Sequence, residues 1–243
     1  MHRKRTGRMM TDQLDNGWIS YPADAWDKAH PTVDLCAEPF WQHCLQKHGG
    51  PVLDLCCGNG RYAIAIAKAG YEVVGVDINA GLIAAAKRHA EEKRHLHAEL
   101  PVEFHVADVC SMELRKRFAL AIMPMWSFQV FLTQKDQINA LQRIREHLQP
   151  DGGFAFNLFI PFYRQQGLQC NGDKWIWLPN PRYHNGARRT YDSTTQIETL
   201  VESNFHMMHL RHTSLAEFEL LFRLTGFELT EHYGDVDMRP YTG

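Results

Sequence analysis

The sequence predicts a doubly wound α/β fold, a mostly parallel sheet with helices on both faces. It adds an antiparallel β insertion after the fifth strand and a helical cap before the first. Three observations predict this. From Pro51 onward, apolar runs of strand length alternate with segments of helical period, the pattern of parallel strands joined by crossover helices. Most of those runs are apolar throughout, as strands buried on both faces must be. The first run breaks into Cys56-Cys-Gly-Asn-Gly60, a glycine-bearing turn that opens directly into a helix.

Each element follows from its residues. Residues 52–55 (VLDL) make the first strand. Residues 61–69 are rich in Ala and Ile and stop at Gly70, a helix with a glycine terminator. Residues 72–77 form a second strand ending in Asp77, and 80–98 an amphipathic helix with Leu82, Ile83, Ala86 and Ala90 on its apolar face. A third strand, 102–107, runs into Asp108, and a fourth covers 118–123. Residues 134–148 place Ile138, Leu141, Ile144 and Leu148 at successive helical turns. Pro150-Asp-Gly-Gly153 then ends the helix before a fifth strand at 154–159.

The flanks differ from this body. Residues 11–48 hold Trp18, Tyr21, Trp26, Phe40 and Trp41 and read as a helical cap. Residues 160–212 lose the helical period, with short strands expected at 174–178, 188–191, 197–203 and 205–210. Turn signals at Pro179-Asn-Pro181 and Asn185-Gly186 separate them. Residues 214–224 form a helix with Ser214 as N-cap and Glu217 at the capping-box position, stopped by Gly226 and followed by a strand at 227–233. The organisation expected is a disordered basic tail over 1–10 and one domain over 11–243, with 160–212 as a roof above the substrate.

Composition narrows the function classes. The chain has 243 residues, 44% of them hydrophobic, enough for a sizeable core. Its 26 Lys and Arg against 28 Asp and Glu argue against coating nucleic-acid phosphates, and no apolar run approaches the ~20 residues of a membrane-spanning helix. The six cysteines form no C-x-x-C pair, so neither a zinc ribbon nor a disulfide framework is expected. Free thiols and the lack of an apolar segment after the basic N-terminus place the chain in the cytoplasm.

Gly58-x-Gly60-x-x-Ala63 lies between a strand and a helix, where glycines let the backbone approach a ligand beside unpaired N–H groups. Asp77 ends the next strand at the spacing suited to ribose hydroxyls, so on this fingerprint alone a nicotinamide dinucleotide is a live reading. Asp54, four residues before Gly58, directs negative charge at the loop; it repels a pyrophosphate and suits a ligand with an ammonium and a sulfonium group. Asp108 offers an acceptor where an adenine amino group would lie. An adenosine with a cationic tail is S-adenosylmethionine (SAM).

The same residues carry a family resemblance. Val52-Leu-Asp-Leu-Cys-Cys-Gly-Asn-Gly-Arg61, Gly70-Tyr-Glu-Val-Val-Gly-Val-Asp77, Ala107-Asp108 and Leu148-x-Pro-x-Gly-Gly153 resemble the ordered motifs of class I SAM-dependent methyltransferases, whose fold is Rossmann-like. The resemblance runs from about Trp26 to Tyr233 and is closest in style to the small-molecule branch with the sugar-amine and glycine N-methyltransferases. It implies a seven-strand sheet, the loop of Gly58, Asn59 and Gly60 against the methionine moiety, Asp77 on the ribose, and Asp108 with Val109 at the adenine. Arg61 and the Trp26-Asp27 pair stand where that branch has Arg and Tyr-Asp near the cofactor. Cys56 replaces the first loop glycine, which is tolerable if its backbone angles are ordinary, and the sequence stops at Gly243 where the family continues into a last antiparallel strand, so either that edge strand is absent or the chain is truncated. The full cofactor set is Trp26, Asp54, Cys56, Cys57, Gly58, Asn59, Gly60, Arg61, Asp77, Ile78, Asp108, Val109, Met123 and Trp126.

Methyl transfer is an in-line displacement and requires no metal. The fourth strand runs into Met123-Pro-Met-Trp-Ser127, unlike the Asn/Asp-Pro-Pro-aromatic signature of base-amino DNA methyltransferases, and carries no Pro-Cys nucleophile. A small-molecule acceptor, methylated on nitrogen or oxygen, is expected. Tyr21, His206 and His209 are candidate catalytic bases, and the His206, His209 and His212 spacing does not suit a shared metal on one strand face. The rival readings are an NAD(P)-dependent oxidoreductase and a SAM-binding module that does not catalyse.

Overall fold

A computed structural model describes residues 16–94, 100–159, 168–171, 174–177, 188–201 and 207–242. Two helices precede the sheet, α1 (Ala23–Ala29) and α2 (Pro39–His48). The parallel sheet has five strands: β1 (Val52–Leu55), β2 (Val73–Asp77), β3 (Val102–Val106), β4 (Phe118–Met123) and β5 (Leu148–Phe156), in the order β3-β2-β1-β4-β5. Crossovers α3 (Arg61–Lys68), α4 (Ala80–Arg94) and α5 (Gln134–His147) join them, and α6 (Leu215–Thr225) follows. The chain winds outward from β1 to β3 and then returns to β4 on the other side of β1. That reversal opens a crevice at the carboxyl ends of β1 and β4.

Strand alternation divides the core between the two faces. Val52, Leu120 and Ile122 pack with Trp41 of α2, Ile66 of α3 and Ile83 of α4. Leu53, Leu55, Val76 and Met123 pack with Leu141 and Ile144 of α5 and Phe218 of α6. Helix ends are closed locally: Thr133 and Ser214 accept the N–H groups of Asp136 and Glu217, and Gly226 takes φ +75° at the end of α6. The Glu217 carboxylate is drawn to Arg211 at 2.7 Å and receives Gln134 at 2.8 Å, a partner set lying outside its own helix turn.

The second sheet is antiparallel, in the order β10-β9-β8-β7-β6, built from β6 (Leu168–Asn171), β7 (Lys174–Trp177), β8 (Arg188–Asp192), β9 (Ile197–Val201) and β10 (Met207–Arg211). β6 is absent from the sequence expectation. Three further expectations are corrected. Pro150-Asp-Gly-Gly153 does not end the helix ahead of a strand at 154–159: α5 stops at His147 and the segment lies inside β5, which pairs Phe118 with Leu148 and then Leu120 with Gly153 across a register shift. Residues 227–233 form no strand, and the parallel sheet has five strands among the described residues, not seven. Glu231 is taken by His43 at 2.8 Å and Lys47 at 2.6 Å, and the Phe40 N–H bonds Val236 O at 2.9 Å. The segment therefore lies along α2, with one bridge between Tyr233 and Pro240.

Phe104 of β3 packs against two glycines at once. A Cβ on Gly75 would stand 2.7 Å from Phe104 Cδ1, and one on Gly60 2.7 Å from Phe104 Cζ. Gly75→Ala is expected to destabilise the fold by about 1–3 kcal/mol through overpacking, read from urea unfolding midpoints, and Phe104→Leu in the same chain should recover part of the loss.

Candidate functional site

The site is assembled at the carboxyl ends of β1 and β2. After β1 the backbone turns through three left-handed residues, Cys56 (φ +54°), Gly58 (φ +56°) and Gly60 (φ +79°), and Gly60 is the N-cap of α3. The condition under which Cys replaces glycine freely, ordinary backbone angles, is thus not met at Cys56: a residue with a Cβ holds the left-handed conformation at a cost of about 1–2 kcal/mol. The turn is held from below by Asp77, whose Oδ2 accepts the Gly58 N–H at 2.9 Å and whose Oδ1 accepts the Asn79 N–H at 2.8 Å. Burial pushes the Asp77 carboxyl up, and these N–H groups draw it partly back. Burial likewise pushes the Cys56 and Cys57 thiols well above their ordinary range.

Asp54 lies on the α3 side of β1 and is 1% exposed. Neither of its carboxylate oxygens has a hydrogen-bond partner among the described residues. Desolvation pushes its acid up to about 8; the dipole of the nearby Ala63 N–H, outside hydrogen-bond geometry, and the charge of Arg61 oppose the shift, while the charge of Asp77 adds to it. A buried carboxyl without partners is costly unless it stays protonated or meets a cation.

The cap crosses above this loop. The Trp26 indole sits over Gly58, so that a Cβ there would meet Trp26 Nε1 at 3.2 Å. Trp26 packs edge-on against Tyr21 (5.6 Å between centroids) and Trp18 (6.0 Å). Asn59 Nδ2 donates to Asp27 Oδ1 at 2.9 Å and to His30 O at 3.1 Å, and Asp27 also faces Arg88 and His89 of α4. Asn79 Nδ2 donates to the carbonyls of Trp18 and Tyr21, while its Oδ1 accepts the Gly81 and Leu82 N–H groups at the start of α4. Asn79 escaped sequence reasoning, although an Asn just ahead of a helix is the signal for a cap. The far end of the cap meets the second sheet: His209 N–H donates to Asn16 O and Trp18 Nε1 to His209 O.

On the other side of the loop, a cavity of about 110 Å³ is lined by Ile19, Cys56, Ile78, Asp108, Val109 and Phe131, among others. Its walls are chiefly apolar and Asp108 stands at its edge, with Oδ1 accepting the Cys110 N–H at 2.9 Å. Such a slot can hold a flat heteroaromatic base with a donor group toward the acid.

Of the residues singled out from sequence, the structure brings Trp26, Asp54, Cys56, Gly58, Asn59, Asp77, Ile78, Asp108 and Val109 around this crevice. Gly60 turns the chain into α3, with Phe104 and Ala86 at its back, and Cys57 is buried close to Gly75. Arg61 lies over the ring of Tyr62, 5.1 Å from its centroid. Met123 is fully enclosed in the core on the α5 side, because alternation along β4 turns it inward with Ala121. Trp126 is 41% exposed and packs on Phe159 at 5.5 Å. Tyr21 joins the aromatic group above the loop, whereas His209 Nδ1 lies 3.0 Å from Thr199 Oγ1 on the neighbouring strand. His206 lies outside the described residues.

The Asp54 shift fixes a pH dependence. The folded acid titrates near 8 and the unfolded one near 3.8, so between those values the folded state holds an extra proton and stability falls as pH rises. Relative to Asp54→Asn, the wild type should lose about 1.4 kcal/mol per pH unit from pH 5 to 7, measured by chemical denaturation; parallel curves would contradict it.

Residues 52–152 match the family model described as a methyltransferase domain. A cypemycin N-terminal methyltransferase of Streptomyces sp is 28% identical over 226 residues, covering 90% of this chain and 83% of the relative. The chain spans about half the length of two other curated relatives it matches, 51% and 49%. Among solved structures, the CcbJ methyltransferase from Streptomyces caelestis superposes with a TM-score of 0.70 at 20% identity, covering 95% of this chain and 94% of that one. The sugar N-methyltransferase KedS8 from Streptoalloteichus sp gives 0.59 at 16% identity, covering 90% and 89%. Residues 52–152 therefore carry the match to a methyltransferase domain, and the fold of the chain is that of the solved methyltransferases on which it superposes.

Proposed function

We propose that the protein methylates an amine nitrogen of a small-molecule acceptor, using SAM bound in the crevice between the glycine turn and the cap. The carrying observation is Asp54, a carboxyl buried beneath the turn without a hydrogen-bond partner among the described residues. A cationic tail bound above the turn would draw this raised carboxyl into its charged form and gain an ion pair, whereas a dinucleotide pyrophosphate would hold it protonated. The remaining residues fit the same ligand: the lack of a side chain at Gly58 lets the Trp26 indole close on the turn, and the apolar slot beside Asp108 suits adenine.

SAM supplies, when bound, a methyl group on a positively charged sulfur. The work of the chain is to position and enclose. Asp77 holds the turn and offers its carboxylate to ribose hydroxyls. Trp26, Tyr21 and Trp18 cover the loop with aromatic surface, which excludes water and favours an adjacent cation. An amine acceptor needs to arrive neutral and in line, and Tyr21 is the best placed of the candidate bases to hold or receive its proton. Nitrogen is favoured over oxygen because a relative covering 90% of the chain is named an N-terminal methyltransferase and a structural neighbour a sugar N-methyltransferase. The same reading treats 11–243 as one catalytic domain roofed by 160–212. On cysteine usage it places the protein in the cytoplasm. Separately, no described helix is long and apolar enough to cross a membrane.

Thermal unfolding with SAM, S-adenosylhomocysteine, NADH and NADPH tests the cofactor. Either sulfur ligand at about a hundred times its dissociation constant should stabilise the fold by roughly 2.7 kcal/mol, and a shift with a nicotinamide cofactor alone would overturn the reading. Asp77→Ala should weaken S-adenosylhomocysteine binding by about ten-fold or more in calorimetry while retaining the wild-type circular dichroism spectrum; unchanged affinity would remove the ribose assignment.

A further inference from the structure

One buried side chain ties both ends of the inserted segment to the turn after β4. Gln129 is 2% exposed and lies in the short helix Ser127–Val130, just beyond Trp126. Its Oε1 accepts the Phe159 N–H at 2.9 Å and its Nε2 donates to Phe159 O at 3.1 Å, a two-point clasp on the backbone where the chain leaves the parallel sheet. The same Nε2 lies 2.8 Å from Nδ1 of His212, the residue at which the chain leaves the second sheet.

The bonding fixes every role in this cluster. With Gln129 Oε1 engaged by an N–H, its amide nitrogen must face His212, so Nδ1 accepts and the ring carries its proton on Nε2. That Nε2–H donates to Glu198 Oε2 of β9 at 2.9 Å. His212 is 6% and Glu198 1% exposed, and the His212 N–H bonds Gln196 O at 2.8 Å. Phe159, held by the clasp, packs its ring against Trp126.

We infer that Gln129 is a positioning residue for the acceptor subsite, closing both stems of the inserted sheet onto the turn that carries Trp126. Val130, the next residue, lines the cavity beside Asp108 and accepts Asn16 Nδ2 at 3.1 Å. The turn therefore serves the cofactor side through Val130 and the inserted sheet through Gln129. Assigning an acceptor to the space under that sheet rests on the methyl-transfer reading; the clasp stands on its own distances.

Gln129→Leu keeps the side chain's size and removes every bond of the clasp, whereas His212→Leu removes the second stem alone. In the ligand-free protein, Gln129→Leu should raise deuterium exchange of peptides in 188–201 about ten-fold and acrylamide quenching of Trp126 about two-fold, the latter read against Trp126→Phe. His212→Leu should raise the exchange and leave Trp126 quenching unchanged. Calorimetric affinity for S-adenosylhomocysteine should stay within about two-fold of wild type in both. Unchanged exchange and quenching in Gln129→Leu would overturn the inference, as would equal effects of both variants on Trp126 with a matching loss of affinity. A wild type that binds no S-adenosylhomocysteine would defeat the methyl-transfer reading instead, and the exchange and quenching measurements would still decide the clasp.

Discussion

The Asp77 carboxylate is the joint on which the site depends. It takes one N–H from the turn after β1 and one from Asn79 at the end of β2, so two strand ends are locked by a single side chain. The turn can then hold three left-handed residues in five. Asn79, fixed in its place, uses its amide nitrogen to hold the carbonyls of Trp18 and Tyr21. Loop geometry, the start of α4 and the path of the cap thus descend from one ionisable group near the topological switch point. The carboxylate meets N–H donors on both oxygens, which is why its burial is sustainable without a counter-charge.

Much of this was legible in the sequence because the chemistry is local. A glycine turn at the end of an apolar run and acids at the ends of the next two strands lie within short spacings, and each has one structural meaning at its position. The elements that misread have distant causes. Residues 227–233 carry strand-forming residues, yet Glu231 finds Lys47 and His43 on α2, and tertiary pairing overrides propensity. The clasp at Gln129 was invisible for the same reason: its partners stand 30 and 83 residues away. Met123 was decidable from alternation along β4, which assigns it to the α5 face with Ala121.

The cap and the second sheet are not independent covers. Residues 16–30 touch the glycine turn through Trp26 and Asn59, the start of α4 through Asn79, and β10 through Asn16 and Trp18. Gly17 backs directly onto the carbonyl of Met207, an approach that any Cβ would prevent.

Cys56 has a consequence for self-protection. A thiol forms part of the wall of the cavity beside Asp108, close to where an alkylating cofactor would lie. Only the thiolate of cysteine is a strong nucleophile. Desolvation, reinforced by the negative charge of Asp77, keeps the proton on this sulfur. Burial, with the neighbouring acids adding to it, thus disarms a thiol in the wall of the site, which would leave the methyl group for an acceptor that enters from outside.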